Sequence, residues 1–396
     1  MNSLNPLNLV NRHSKITTVP DYSAARAVAP RVRDHFLRHI DANSRPDGVG
    51  RITEPPDVES VESIVDAAFW ASLRREEGYI PRISLALLPK ERAGRPLVFE
   101  TPLPLTATAL VRVAPAVERP GIHLGVWREH GELRVWGATR TIPSLTFVLE
   151  VAAPGLLVIK HQRGEAGKFV NVAVLEGDQV KVIDERASGL PGSPPFVTSL
   201  ARFDAERPPD GRVNILVQLA VSMRAHGRGG CLLIVPEGSD TWLESIVRPI
   251  RYAISPAYSK LADLARQPPA PGADARPWQD ALQNAVDGVA GLTAVDGAAI
   301  VTERYDLLAF GAKLARRRGS PHVEQVTLTE PIEGSAAEVL HPSRLGGTRH
   351  LSAAQFVHDE RGAAALVASQ DGRFTVFAWS PDEEMVHAHR VETLLL

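Results

Sequence analysis

The stretch Ala294-Val295-Asp296-Gly297-Ala298-Ala299-Ile300-Val301-Thr302 sets a carboxylate and a glycine at the mouth of an apolar run. The run ends in three β-branched residues and reads as a buried strand over 298–302, with Asp-Gly as the loop that feeds it. Glycine after the carboxylate lets a ligand approach the backbone, so the position suits a metal held near a phosphate. Asp-Gly is also an ordinary turn dipeptide, so the tripeptide needs support from its surroundings. Upstream, Val213, Leu216, Ala220 and Met223 have helical spacing, glycines at 227–230 break that helix, and Cys231-Leu232-Leu233-Ile234-Val235 reads as a strand. A helix over 278–290 leads into Asp296, and a return strand over 307–310 follows the first one. Helix, strand, helix is the α/β rhythm, and a mixed sheet flanked by helices is the expectation.

The second element is Gly346-Gly347-Thr348-Arg349-His350, which opens a helix predicted over 348–358. A helix start after glycines offers free N–H groups and a positive dipole end to phosphate oxygens. Arg349 adds a charged fork and Thr348 is read as a capping hydroxyl. The plainer alternative is a Gly-Thr helix cap beside a surface arginine. A strand over 363–369, an Asp371-Gly372 turn and a strand over 373–379 complete this half.

The N-terminal half has another texture. Residues 1–55 are polar and broken by Pro20, Pro30 and Pro46, with one helix expected over 24–40. Pro55-Pro56-Asp57 is a start signal for an amphipathic helix carrying Val61, Ile64, Val65, Ala68, Phe69 and Leu73, which Gly78 ends. Eight short β-rich runs follow, at 83–88, 97–100, 123–128, 133–138, 146–151, 156–161, 170–175 and 180–183. Glu129-His130-Gly131 and Gly177-Asp178 tolerate hairpin dihedrals, so much of this sheet should be antiparallel. The expected organisation is an irregular lead at 1–55, a smaller α+β domain with one helix at 56–190, a Pro/Gly-rich linker at 191–211, and the α/β domain at 212–396.

Composition narrows the class. With 44% apolar and 23% charged residues the chain has the mix of a folded globular protein, and a net charge of −2 supplies no basic field for nucleic acid. The single cysteine, Cys231, lies in an apolar run and reads as a buried structural residue in a reducing compartment. No secretion signal and no apolar run of transmembrane length is evident, so no membrane partner and a cytoplasmic location are expected.

Taken in order, the strand 231–235, Asp296-Gly297-Ala298 entering a strand, and Gly347-Thr348-Arg349-His350 on a helix start resemble the diadenylate cyclase (DAC) domain, whose motifs are DGA and GTRHR. The likeness covers roughly 212–380. With the N-terminal stretch Ala68-Phe69-Trp70-Ala71-Ser72-Leu73-Arg74-Arg75-Glu76, the whole chain resembles the DAC-related branch named DACNV. The resemblance implies a mixed twisted sheet with helices around it, a homo-oligomer in which two domains meet face to face, and one adenine nucleotide held by each. It implies that Asp296 is the catalytic and metal-binding residue, taking Mg²⁺ or Mn²⁺. It further implies that Gly297, Ala298, Gly346, Gly347, Thr348, Arg349 and His350 bind the nucleotide. Two departures weigh against catalysis. The final motif arginine is Leu351, which cannot neutralise phosphate. The segment 311–345 is longer than in the cyclases, with Ala315-Arg316-Arg317-Arg318 and 321–341 inserted near the site.

Two further features invite chemistry. His387 and His389 share one side of a strand and could bind a metal, but with no third ligand they read as a plain surface pair. Trp127 and Trp136 read as sheet packing rather than a base-stacking platform. The expected function is a sensor that binds an adenine nucleotide or cyclic dinucleotide and signals to an unidentified effector protein. The alternatives are an active diadenylate cyclase joining two ATP into cyclic di-AMP, and a structural adaptor with a vestigial pocket.

Overall fold

The computed structural model describes residues 22–43, 54–162, 169–184, 214–270 and 273–396. The expected linker at 191–211 and the first part of the lead segment lie outside the described residues.

The first sheet has eight strands in the order β2-β4-β3-β1-β5-β6-β7-β8. They are β1 Ser84–Leu87, β2 Leu97–Pro104, β3 His123–Glu129, β4 Glu132–Thr139, β5 Phe147–Ala153, β6 Leu156–Gln162, β7 Phe169–Glu176 and β8 Gln179–Val182. The β1 and β3 strands run parallel and the other neighbours antiparallel. His130 and Gly131 both take positive φ in the β3–β4 turn, as their residue types allow. Helices α1 Ser23–Asn43, α2 Val58–Ser72 and α3 Ala107–Val117 bury Val28, Val32, Phe36, Ile64, Ala68 and Leu110 in one core with this sheet. Asp57 caps α2 by accepting from the Ser60 N–H. The sequence reading assigns one helix to the 56–190 domain, besides the one over 24–40. It misses α3, whose three valines and internal Pro115 mask a helical pattern despite four alanines, and which is held by the Thr106 cap and its buried face. The α2 helix also stops at Ser72, before Gly78. On the other face Trp136 is buried and its indole N–H donates to the Leu88 carbonyl at 2.8 Å, the packing role expected of it.

The second sheet has nine strands in the order β10-β12-β11-β9-β15-β16-β17-β13-β14. They are β9 Gly230–Val235, β10 Tyr252–Tyr258, β11 Ala298–Thr302, β12 Leu307–Ala312, β13 Val326–Thr329, β14 Glu338–Leu340, β15 Ala364–Ala368, β16 Phe374–Ser380 and β17 Met385–Arg390. Parallel pairs β9/β11 and β13/β17 stand among antiparallel ones, so the sheet is mixed as expected. One face is covered by α4 Ile215–Ala225, α5 Lys260–Arg266 and α6 Arg276–Leu292, the other by α7 Thr348–Asp359. The α/β class of this half and the α+β character of the first are both present. Strands β13 and β14 lie in the segment 321–341 and extend the sheet at one edge. No described helix is long and apolar enough to cross a membrane.

The inserted segment also reaches the first sheet. Ile183 and Ile332 form an antiparallel bridge, and the Glu333 N–H donates to the Val182 carbonyl at 2.8 Å. Arg31 of α1 pairs with Glu333 at 2.7 Å, and the Asn171 amide donates to the carbonyls of Thr393 and Leu396 at 3.0 and 3.1 Å.

Candidate functional site

Asp296 sits where α6 hands over to β11, and its side chain is almost fully exposed. Gly297 follows at φ +122°, where a Cβ would meet the Gly311 carbonyl carbon at 2.5 Å. Only glycine permits so close a crossing of the two backbones in this conformation. Gly311 itself has φ +62°, and the pairing Ala298 with Ala312 then brings Lys313 beside Asp296. Lys313 Nζ lies 2.5 Å from Asp296 Oδ2. The Lys313 ammonium holds the Asp296 carboxyl below the ordinary carboxylate range, and the Arg349 guanidinium adds to the effect.

Helix α7 supplies the other wall. Its N-cap is Gly347, in an extended conformation and without a side-chain cap. The capping hydroxyl expected of Thr348 is therefore not formed. The helix starts at Thr348 itself, which leaves the glycine, with no side chain to accept from the first turn, in the cap position. Gly346, Gly347 and Thr348 are exposed. Arg349 is half-buried, with Nη1 3.1 Å from where a Cβ on Gly229 would stand, so its guanidinium lies over the entrance to β9.

His350 goes elsewhere. Two residues after Thr348, it turns onto the sheet side of α7 with Ala353, Ala354 and Val357. Its ring is 3% exposed, meets Phe377 edge-on and packs under Gly346. Burial pushes its pKa down to about 4, and its Nε2 has no hydrogen-bond partner. The fold thus assigns His350 to the core rather than to the surface that would meet a phosphate. Ala298 is likewise a buried strand residue, 1% exposed, so only its backbone can serve a ligand.

On the other flank of α7 a cavity of about 360 Å³ is lined by Leu314, Val323, His341, Leu351 and Ser352, among others. That volume lies within the usual range for small-molecule sites. Leu351, the leucine in the motif-arginine position, is 39% exposed and forms part of the cavity wall. The inserted residues are fastened to α7. Gln355 accepts from the Val323 N–H at 3.0 Å and donates to the Pro321 carbonyl, while Asp359 accepts from the Arg317 N–H at 2.9 Å. Arg317 is further paired with Glu244 at 2.8 Å and Arg316 donates to the Ser320 carbonyl, so these arginines are structural fasteners rather than a free basic loop.

The metal reading fits less well. The carboxylate of Asp296 is engaged by Lys313, and among the described residues no group of three His, Cys, Asp or Glu is arranged to hold an ion. His387 and His389 do not form a surface pair. They are 4% and 3% exposed, because β17 lies inside the sheet between β16 and β13. Each takes a polar partner: His387 pairs with Glu383 at 2.8 Å and His389 with Thr329 at 2.6 Å. Cys231 is buried with its thiol pushed up to about 12, which suits the structural role expected of it.

Sequence reading assigns Asp296, Gly297 and the 346–349 turn to one site, and in the fold Arg349 lies near enough to act on the Asp296 carboxyl. It misses Lys313. The only available signal was the Gly311-Ala312-Lys313 end of a strand returning beside Asp-Gly.

Residues 51–140, spanning α2 to β4, match the family described as "Probable sensor domain DACNV". The resemblance to the DACNV branch is supported over that segment, which carries a sensor-domain family signature. No curated protein matches the chain. Among solved structures, the crystal structure of a hypothetical membrane spanning protein from Bacillus cereus is similar, with 14% identity and a TM-score of 0.25 over 49% of this chain and 69% of that one.

Proposed function

We propose that the C-terminal half of this chain is the ligand-binding part of a nucleotide sensor. Its ligand is an adenine nucleotide or cyclic dinucleotide, and the inserted segment relays occupancy to the DACNV domain and from there to an effector protein. The observation that carries this reading is the convergence of the uncapped start of α7, Arg349 and the Asp296–Lys313 pair, with a ligand-sized cavity on the other flank of α7. Free N–H groups at a helix start and a guanidinium recognise phosphate oxygens without covalent chemistry. The relay is supported by continuity. Gln355 and Asp359 tie α7 to residues 317–323, and the same insertion ends on β8 and α1 through Ile332 and Glu333. Binding is favoured over cyclisation because Leu351 contributes a wall where the motif arginine would contribute charge.

Thermal unfolding of the purified protein across a nucleotide panel tests the proposal. A ligand at about 100 times its dissociation constant adds roughly 2.7 kcal/mol of stability. No shift with any nucleotide would favour the adaptor with a vestigial pocket, and a cyclic dinucleotide appearing from ATP would favour the cyclase.

A further inference from the structure

We infer that Lys313 stands where the cyclase resemblance puts a divalent metal, so that this site binds its nucleotide without one and is matched to phosphodiesters rather than to metal-complexed triphosphates. The inference rests on the nucleotide-binding reading above and narrows its ligand.

The strand crossing brings the lysine backbone next to Asp296, and its side chain completes the contact. Gly297 and Gly311 let β11 and β12 cross at contact distance, and the register that pairs Ala298 with Ala312 places residue 313 across from Gly297, one position from Asp296. The Lys313 carbonyl is itself fixed by accepting from the Val247 N–H at 2.8 Å. The ammonium then contacts the carboxylate at 2.5 Å, through Oδ2. The two groups that act on Asp296 are both cations, Lys313 and Arg349, and among the described residues no second carboxylate joins them to build a divalent site.

Charge decides the ligand class. Two cations and one carboxylate leave one net positive charge at the mouth of α7, to which the helix start adds a partial one. A phosphodiester brings a single negative charge per phosphate, so one phosphate of a cyclic dinucleotide, which carries two, is balanced by that arrangement. A triphosphate brings several, and would need either a metal that displaces Lys313 from Asp296 or further cations.

The test measures binding of cyclic di-AMP and of ATP to the full chain by isothermal titration, each in EDTA and in millimolar Mg²⁺. Wild-type protein should bind cyclic di-AMP equally in both buffers, within about twofold, and more tightly than ATP. Lys313→Ala should lose about tenfold or more in EDTA, the equivalent of one charge-assisted hydrogen bond, and Lys313→Arg should keep most of the affinity. Both side chains of the pair are exposed, so these variants should fold, and unchanged melting of the ligand-free proteins verifies it. Wild-type binding that requires Mg²⁺ would overturn the inference and leave the nucleotide reading intact. Equal affinity of Lys313→Ala in EDTA would also overturn it. Failure of every nucleotide to bind in either buffer would overturn both.

Discussion

Gly297 and Gly311 meet backbone to backbone, with a Cβ on the first destined to fall 2.5 Å from the carbonyl carbon of the second. This crossing sets the spacing of β11 and β12 and, through it, the position of Asp296 and Lys313. Gly297→Ala should therefore fail twice, by strain at φ +122° and by overlap with Gly311. Each effect is worth about 1–3 kcal/mol, so a loss of about 2 kcal/mol or more is expected in chemical denaturation. A loss below about 0.5 kcal/mol, the scale of a neutral surface change, would show that the crossing is dispensable.

Arg349 has a different signature. It lies half-buried over the entrance to β9, in the first turn of α7. Arg349→Ala should leave the melting temperature nearly unchanged and weaken nucleotide binding by roughly 10- to 100-fold, with or without Mg²⁺. Binding at parental strength would remove the start of α7 from the site.

How far the sequence reveals this molecule follows from where its signals are local. Asp296-Gly297 and Gly346-Gly347 mark backbone turns by residue type, and the apolar runs of β9, β11 and β15 are fully buried strands, so both survive into the structure. Strand β10 Tyr252–Tyr258 is mostly exposed at a sheet edge and has no alternating pattern to find. Strands β13 and β14 are held by their pairing with β17 and each other, a non-local cause. His350 is named by its motif, yet its direction depends on helix phase relative to the sheet, and that is fixed only once α7 packs on Phe377 and its neighbours. Lys313 next to Asp296 is likewise a product of register.

Stability should fall in mild acid. Burial holds His350 and His123 at about 4 and His389 at about 3, against an ordinary value of 6.5. A histidine depressed in the fold stays neutral there while the unfolded chain takes up a proton, so stability is full above pH 6.5 and declines as pH drops toward 4. Replacing His350 with Phe should flatten this decline by on the order of 1 kcal/mol at pH 5, measured as denaturation midpoints at pH 7 and 5. An identical pH slope in the variant would mean His350 is not the neutral buried ring described.

The relay has its own test. Glu333 of the insertion accepts from Arg31 of α1 and donates its N–H to Val182 of β8. Glu333→Arg removes the acceptor and sets like charges face to face, while the backbone bridge at Ile332 remains available. Nucleotide affinity should hold, but the change in amide hydrogen exchange that the ligand causes over β8 and α1 should shrink or vanish. A full response in the variant would mean the signal does not travel through this contact.

The last test concerns Leu351. It lies within the first turn of α7, 39% exposed on the cavity wall, so Leu351→Arg should be tolerated by the fold. The new guanidinium would add a second net positive charge near the helix start, on the flank away from Arg349. A phosphodiester already balanced by Lys313 and Arg349 has little to gain from it. A triphosphate carries charge that the parental site leaves unpaired, and one charge-assisted hydrogen bond is worth about 1.5–3 kcal/mol. The variant should therefore raise ATP affinity by roughly 10- to 100-fold while changing cyclic di-AMP affinity far less. The informative quantity is the ratio of the two affinities in wild type and variant, titrated in EDTA so that a metal cannot supply the missing charge. If that ratio does not move, residue 351 does not face the phosphates, and the leucine is not what separates this site from a cyclase.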